Sequence, residues 1–400
     1  LFFYLDFIFC SLIINPQIGS NKTFNIPFEI NYNFNDNFSI KHINRLFHIN
    51  HPQNNYFHYI HQRKNVTAIT EVSYIKYNKN NFEVLFGRNF LNAKNELLFS
   101  NQAPPLDYFK IQFKKNKIDF NFYIIKLNNN KINCTGNDEC FNHWNDNINH
   151  YYNRWLYFRD ISISINPKIK IKLSEALLST GENRGIEWYY LLPFGLSTAE
   201  KKHNSRGIDT PYNFDNDNSF FNIGLNYLLN KNYSIDINFL IDDFQVDSED
   251  RDIYEDVFGY LFGISYQKKN LELSINYKYA SPWLYINNGI FTNYSHYNFP
   301  LGIRYPHSHF IDLNFKYILK QSKLFLKMSY GEKGQQIITY KWDSENNNID
   351  NYNFDNSIPL ELYIKYDLNN KLYPNIIIFH NWMESEKTNF ILEWEIILNE

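Results

Sequence analysis

Alternation of apolar and polar residues is the feature that most constrains what this chain can fold into. In residues 24–34, FNIPFEINYNF, all even positions are apolar, and the odd positions are Asn, Glu or Pro. The same two-residue period runs through residues 118–124, 233–241, 271–279, 358–366 and 390–398. Successive side chains of a β-strand point to opposite faces, so each run predicts a strand with one apolar and one polar face. The chain is therefore predicted to be all-β.

The apolar runs come in pairs that are joined by very short polar connections, which predict antiparallel hairpins. The paired runs are 106–113 with 117–127, 154–165 with 168–178, 219–229 with 231–241, 257–268 with 270–280, and 310–319 with 322–331. The connections between pairs are long and polar instead: 128–153, 181–218, 242–256, 281–309 and 343–357. A water-soluble β-sandwich gives no reason for connection lengths to alternate in this way.

Short turns on one side and long loops on the other are typical of outer-membrane barrels. In lipid, every backbone N–H and C=O must be paired within the protein, and a sheet achieves this only by closing on itself. We therefore expect a closed antiparallel transmembrane β-barrel of about 16–18 strands, with short periplasmic turns and long extracellular loops. A soluble secreted β-protein is the alternative fold, and the alternation of connection lengths counts against it.

The overall charge and hydropathy agree with a barrel. The net charge of −3 provides no basic surface for a nucleic-acid partner. The mean hydropathy of −0.49 does not exclude membrane insertion, because strands that alternate apolar and polar residues average near neutral. The chain has no run of 18 or more apolar residues, so no transmembrane helix is expected beyond its first residues.

Three segments depart from the barrel pattern. The apolar run LFFYLDFIFCSLII predicts a remnant signal peptide within residues 1–20, with a first strand or buried segment as the alternative, and the barrel is expected over residues 21–400. Residues 42–64 are rich in histidine and predict a periplasmic plug or a long loop; the spacing matches no metal-ligand motif, so no metal is expected. Cys134 and Cys140 could form a small loop disulfide or remain two thiols.

The region around Gly87 contains the most specific motif. A glycine inside a predicted strand indicates a bulge or a close approach of another backbone. The stretch GRNFLN, followed by ELLFSNQAPPLDYFKIQF, resembles a signature of Wzi-type capsule-assembly outer-membrane proteins. Four further stretches resemble segments of that family in the same order: DISISINPKIKIKLSEALLSTG, EWYYLLPFGLSTAEK, FLIDDFQVD and PLGIRYPHSHFIDL.

The resemblance covers residues 87–313, and it departs from the family at residues 92–95, where the family's segment is rich in glycine. It implies a surface β-barrel of the cell outer membrane that binds capsular or surface polysaccharide and supports capsule assembly. It implies no catalysis and no cofactor, and its partners would be the polysaccharide and outer-membrane lipid.

Residues for sugar binding are sought in the long loops, because sugars are held by aromatic faces and planar polar side chains. Three clusters supply both kinds of group, although each could equally form an interfacial aromatic belt or a turn. The candidates are Glu182, Arg184 and Trp188; Asp242, Asp243 and Gln245; and Trp283 with Tyr285.

Two other functions remain open. A diffusion porin or nutrient channel would share the same fold and sequence pattern. An enzyme within a barrel is disfavoured, because no Gly-x-Ser-x-Gly motif occurs and Ser308, between His307 and His309, fits a loop or the start of a strand.

Overall fold

The computed structural model describes most of the chain, in seventeen segments. They are residues 9–14, 17–19, 24–48, 66–91, 95–100, 103–133, 149–182, 184–192, 217–243, 256–286, 292–297, 299–318, 322–334, 356–368, 375–381, 388–393 and 396–399. Across these segments the architecture is all-β, as predicted, with one short 3-10 helix at Trp188–Leu191. None of the described helical residues form a helix long and apolar enough to cross a membrane.

The first half of the chain forms eleven strands. They are β1 Phe9–Ile14, β2 Gln17–Gly19, β3 Phe24–Asn35, β4 Phe38–His48, β5 Val66–Lys79, β6 Phe82–Asn89, β7 Leu106–Lys115, β8 Ile118–Lys126, β9 Asn130–Asn133, β10 Asn149–Asn166 and β11 Ile169–Glu182. The second half adds twelve. They are β12 Asp217–Leu228, β13 Tyr233–Asp243, β14 Val257–Lys268, β15 Leu271–Ala280, β16 Ser295–His296, β17 Phe299–Pro300, β18 Ser308–Ile318, β19 Ser322–Lys333, β20 Asn356–Leu368, β21 Asn375–Asn381, β22 Thr388–Glu393 and β23 Ile396–Asn399.

One antiparallel sheet contains 21 of these strands, and β16 and β17 form a separate small pair. Strands that follow one another along the chain are neighbours in the sheet. The five predicted hairpins are confirmed as β7–β8, β10–β11, β12–β13, β14–β15 and β18–β19. Strand β1 pairs with both β3 and β23, and β2 pairs with both β3 and β22. The first two strands therefore lie between β3 and the last strands of the chain.

The strand registers assign apolar side chains to one face of the sheet, as the two-residue period predicts. This face carries exposed apolar residues along many strands: Ile75, Phe86, Phe113, Ile118, Ile223, Ile237, Phe262 and Ile275. The opposite face carries buried polar and charged residues: Arg154, Asp160, Lys172, Asn222, Asn238, Lys278 and Asp312. Side chains of the second face from β6 round to β18 belong to a single apolar cluster, so the sheet curves around it. We call the two faces convex and concave.

Short connections lie along one edge of the sheet and long ones along the other. Asparagine forms several of the short turns, because its side chain can replace a backbone acceptor. The Oδ1 atoms of Asn35, Asn166 and Asn230 each accept hydrogen bonds from two backbone N–H groups that follow. Asn80 and Asn116 adopt left-handed backbone angles, with φ of 54° and 52°. We call the edge with the short connections the short-turn end and the edge with the long connections the long-loop end.

Gly87 confirms the predicted close approach of two backbones. Its φ is +134°, and a Cβ atom built there would lie 2.8 Å from the Cα of Tyr74 and closer still to the carbonyl oxygen of Ser73. Strand β5 pairs with β6 at this point, with Tyr74 opposite Gly87. The glycine therefore lets the two strands approach more closely than any side chain would allow.

Three sequence expectations concern segments that the structure describes only partly. Strand β4 continues to His48, so the prediction that residues 42–48 leave the strand pattern is corrected: their backbone pairs with β5 throughout. Residues 49–65, and Cys134 with Cys140, lie outside the described residues. Residues 9–14 and 17–19 pair within the sheet, which corresponds to the first-strand interpretation of that segment.

Candidate functional site

Two connections at the long-loop end fold back over the concave face and build a core there. They contribute residues 95–100, which follow β6, and the described residues between 281 and 307, which follow β15. We call these residues the loop core. Leu97, Leu98, Leu284, Tyr294 and Leu301 are completely buried in it and pack against concave side chains of the strands. The short apolar run at 97–99 thus folds back over the concave face as part of this core.

Tyr285 joins the two halves of the loop core. Its hydroxyl donates to the carbonyl oxygen of Leu97 and accepts a hydrogen bond of 3.2 Å from the N–H of Ile303. Beside it, the N–H of Ser100 donates to the carbonyl of Leu301 at 2.7 Å. Burial raises the pKa of the Tyr285 hydroxyl, which therefore remains a protonated donor at any physiological pH.

Polar contacts anchor the loop core to the strands. Buried Arg154 of β10 donates to the carbonyl oxygen of Asn293, and at 3.3 Å to the Oδ1 of Asn128. The N–H of Asn128 in turn donates to the Nδ1 of His296 at 3.0 Å. Burial, followed by the positive charge of Arg154, lowers the pKa of His296 to about 3, so this imidazole is neutral and accepts the hydrogen bond.

A polar cavity of about 210 Å³ lies between the loop core and the concave face. The Nζ of Lys278 contacts the Oδ2 of Asp312 at 2.6 Å, and it also forms an ion pair with Glu96 of the loop core. Asn276 and Arg304 line the same cavity. The cavity therefore offers paired charges and amide groups, which can bind water or a polar ligand. The described residues contain no group of three or more potential metal ligands.

On the convex face, residues 184–192 form a second segment that folds back over the sheet, which we call the strap. It crosses three successive outward side chains of β10. The indole Nε1 of Trp155 donates to the carbonyl of Arg184 at 3.3 Å, and the hydroxyl of Tyr157 accepts from the N–H of Glu187 at 2.8 Å. Arg159 donates to two further strap carbonyls: to Tyr190 at 2.6 Å and to Leu192 at 3.0 Å.

Arg184 holds the first residues of the strap in place through all three of its guanidinium nitrogens. Nε donates to the Oε1 of Glu187 at 2.8 Å, Nη1 to the carbonyl of Thr180 at 3.0 Å, and Nη2 to the Oδ2 of Asp217 at 2.9 Å. The hydroxyl of Tyr190 donates to the same carboxylate at 2.5 Å. Arg184 therefore acts as a structural clamp, a role that its sequence context does not reveal.

The other sugar-binding candidates occupy different places. Asp242 accepts a hydrogen bond of 2.7 Å from the N–H of Tyr285, and Trp283, itself part of the loop core, packs against the buried apolar cluster, so Asp242, Trp283 and Tyr285 are brought together. Tyr285 is completely buried and has no surface with which to touch a sugar in this structure. Trp188 lies on the convex face with 82% of its surface exposed. The side chains of Glu182 and Asp243, and the whole of Gln245, lie outside the described residues.

Sequence reasoning missed the charged residues that fix these two segments: Arg154, Lys278 and Asp312 on the concave face, and Arg159 with Glu175 on the convex face. A usable signal was present for the last pair. Arg159 and Glu175 fall on the apolar phase of runs that are otherwise alternating, where a charge has no place unless another group covers it. Ser308, weighed as a nucleophile, is buried and donates to the carbonyl of Tyr305 at 2.7 Å.

Comparison with solved structures shows that the fold resembles outer-membrane β-barrels. The structure of Wzi, described as an Escherichia coli outer-membrane protein involved in group 1 capsule assembly and a carbohydrate-binding β-barrel, matches with a TM-score of 0.62 and 9% identity, over 96% of this chain and 84% of that one. OccAB2 of Acinetobacter baumannii matches with a TM-score of 0.54 and 10% identity, over 98% of each chain.

OccK8 of Pseudomonas aeruginosa matches with a TM-score of 0.50 and 8% identity, again over 98% of each chain. No protein-family model and no curated protein sequence matches the chain. At these identities the similarity concerns the fold alone. The comparisons therefore support an all-β chain of outer-membrane barrel type, and they do not distinguish among the functions of such barrels.

Proposed function

We propose that the sheet closes into a transmembrane barrel of the outer membrane. The pairing of β1 and β2 with strands from both ends of the sheet order supports closure, since it leaves neither β3 nor the β22–β23 segment as an edge. The convex face supports insertion, because its exposed apolar side chains would be unfavourable in water but favourable against lipid tails.

We infer that the barrel is a non-catalytic polysaccharide-binding protein of the Wzi type, supporting capsule assembly or attachment. The loop core is the single observation that carries this conclusion. It packs Leu97, Leu98, Tyr285 and Tyr294 across the concave face at the long-loop end, the space that a diffusion channel keeps filled with water. Wzi, the structure with the TM-score of 0.62, supports the same inference through its carbohydrate-binding barrel.

The proposed sugar-binding surface lies where the end of β13 meets the connection after β15. Asp242 holds the turn that carries Trp283, and Asp243 and Gln245 follow directly in the chain. Glu182, at the end of β11, would add a carboxylate from the same end of the sheet. An indole ring beside carboxylates and an amide is the combination that binds sugars by stacking and by paired hydrogen bonds.

Binding of the purified full-length chain to a capsular-polysaccharide glycan array tests this proposal. Trp283→Ala and Asp243→Ala should each weaken binding by about tenfold or more, equivalent to ~1.4 kcal/mol. Tyr317→Ala is the matched control, because Tyr317 is exposed on the convex face near the short-turn end and its loss should leave binding unchanged. Binding that is equal in all three variants would remove the proposed surface.

A nutrient channel is the second candidate, and the polar lining of the concave face favours it. Conductance in a planar lipid bilayer separates the two functions. A plugged polysaccharide-binding barrel should conduct little, and Tyr285→Ala should raise the conductance by removing the residue that joins the two halves of the loop core. A large, steady conductance of the unmodified chain would favour the channel.

A further inference from the structure

An ion pair lies on the convex face, in the middle of two long strands. Arg159 of β10 is directly opposite Glu175 of β11, and its Nη1 donates to the Oε2 of Glu175 at 2.6 Å. Both residues share a face with Leu173 and Ile223, which are exposed apolar residues. Yet Arg159 and Glu175 are only 5% and 7% exposed. The convex face is therefore covered at this point.

The position of the pair along the strand sets the height at which the cover lies. Arg159 is seven residues from the end of β10 at Asn166, the short-turn end. At about 3.3 Å per residue and a tilt of about 40°, this distance corresponds to a height of roughly 18 Å. The apolar belt of an outer-membrane barrel is about 25 Å tall. An uncovered ion pair at this height would face hydrocarbon, where charge is strongly disfavoured.

The strap provides the cover. Its inner side satisfies the guanidinium of Arg159 through the carbonyls of Tyr190 and Leu192. The ring of Tyr190 is completely buried and packs against Tyr157 and Leu177 of the wall. The strap thus covers the polar patch of the wall, and the surface exposed there is the outer side of the strap.

That outer surface is apolar. Ile186 is 44% exposed, Trp188 is 82% exposed and Leu192 is 57% exposed. Leu192 lies beside Arg159, and Arg159 is two residues from Ile161 on the same face of β10. The strap therefore continues the apolar surface of the wall towards the long-loop end. Tryptophan is characteristic of the boundary between lipid tails and headgroups, where its ring is apolar and its N–H can reach water.

We propose that the strap is immersed in the outer leaflet of the membrane and contacts lipid at the boundary between tails and headgroups, through Ile186, Trp188 and Leu192. This proposal rests on the proposed barrel, since it requires the convex face to lie in lipid. It assigns Trp188 to lipid contact instead of sugar contact, and it makes Arg184 the clamp that holds the strap against the wall.

Quenching of tryptophan fluorescence by brominated lipids tests the assignment. The full chain is reconstituted in phosphatidylcholine vesicles in which the acyl chains carry bromine either near the headgroup or near the middle. Because the chain has 7 tryptophans, the contribution of Trp188 is measured as the difference between the unmodified protein and Trp188→Phe. That difference should be strongly quenched by bromine near the headgroup, less by bromine near the chain middle, and little affected by iodide in the water.

Two matched variants make failure of the strap distinguishable from failure of the barrel. Ile223→Trp, made in the Trp188→Phe protein, probes the apolar belt of β12, where Ile223 is 54% exposed. Trp283→Phe measures a tryptophan of the loop core, whose contribution should not be quenched by either lipid.

Quenching of the Ile223 probe without quenching of the Trp188 contribution would overturn the strap proposal and leave the barrel standing. Absence of quenching at both positions would overturn the barrel and the strap together. Iodide quenching of Trp188 that disappears when polysaccharide is added would also overturn the strap proposal, because it would return Trp188 to the sugar-binding surface.

Discussion

At the scale of single residues, backbone geometry and burial decide more than residue chemistry does. Asparagine is abundant throughout the chain, but it has a defined role in the short turns, where Asn35, Asn166 and Asn230 replace backbone acceptors. Gly87 is required because of its neighbour: the carbonyl of Ser73 occupies the space of a Cβ atom. Sequence reasoning found Gly87 because a glycine within an alternating run is conspicuous.

Replacement of Gly87 by alanine should destabilise the folded protein. The positive φ and the contact with β5 both oppose a side chain, so we expect Gly87→Ala to lower the free energy of unfolding by about 1–3 kcal/mol or more. Gly185→Ala is the control, because a Cβ atom there meets nothing within 4 Å, and its effect should be within about 0.5 kcal/mol. Urea unfolding in detergent measures both; equal effects would contradict the close approach.

The stability of the loop core should depend on pH through His296. Its pKa in the folded protein is lowered to about 3 by burial and by Arg154, and to a lesser degree by Arg88, while Asp107 acts in the opposite direction. The unfolded chain, with a pKa near 6.5, therefore takes up the proton first as the pH falls. Stability should be lost from about pH 6.5 towards about pH 3, by up to about 1.4 kcal/mol per pH unit.

Urea unfolding in detergent at pH 7.5 and at pH 5 tests this dependence. His296→Asn is a suitable control, because an amide oxygen can accept the N–H of Asn128 without titrating. The loss of stability between the two pH values should be smaller in this variant by about 2 kcal/mol, because one proton is taken up over the roughly 1.5 pH units between the unfolded pKa and pH 5. An identical pH dependence in both proteins would show that another group titrates.

At the scale of elements, two connections use the wall of the sheet as a surface to fold on. The loop core covers the concave face and the strap covers the convex face, and each is tied to β10, by Arg154 on one side and by Trp155, Tyr157 and Arg159 on the other. Strand β10 can contact both segments because its consecutive side chains point to opposite faces of the sheet.

Removing one partner of the covered ion pair should be costly. Arg159→Met removes the positive charge that neutralises buried Glu175, so we expect a loss of about 3–5 kcal/mol in the free energy of unfolding. Arg88 and Asp107 form an ion pair on the same face, but near the ends of β6 and β7, with side chains 37% and 51% exposed.

Arg88→Met is therefore the matched control, and it should cost at most about 1 kcal/mol. The double variant Arg159→Met with Glu175→Leu should recover most of the loss, because it removes both charges. Equal costs for Arg159→Met and Arg88→Met in urea unfolding would contradict the covering role of the strap.

At the scale of the whole molecule, the proposed barrel depends on the pairing at β1. Residue 12 lies opposite residue 30 of β3 on one side and residue 398 of β23 on the other. A proline there removes a backbone N–H that the sheet needs, and in the middle of a sheet it is strongly disfavoured. We expect Leu12→Pro to abolish the faster migration of the unboiled protein in detergent gel electrophoresis.

Leu12→Ala is the control that keeps the N–H group, and it should retain the fast-migrating form. Fast migration of the proline variant would contradict the proposal that β1 closes the sheet. A protein without any difference between boiled and unboiled samples, even when unmodified, would contradict the barrel itself.

The sequence by itself determined the local architecture: the all-β class, the five hairpins and the apolar phase of each strand. These features follow from a period of two residues and from turn chemistry, both of which act between near neighbours in the chain. Gly87 belongs to the same category. The error at residues 42–48 has a local cause as well, because the register between β4 and β5 shifts between Ile43 and Asn44, which interrupts the alternation while the backbones remain paired.

Only the tertiary structure decided what the long connections do. Tyr285 and Arg184 are aromatic and planar polar residues in loops, which suits a sugar site by composition, yet one joins the loop core and the other clamps the strap. Leu97, the partner of Tyr285, is distant in the chain and belongs to a connection that meets Tyr285 only when the sheet curves. Asp217, the partner of Arg184, begins the neighbouring strand after an intervening connection that no local pattern relates to Arg184. Such contacts depend on the path of the whole chain, which no local period encodes.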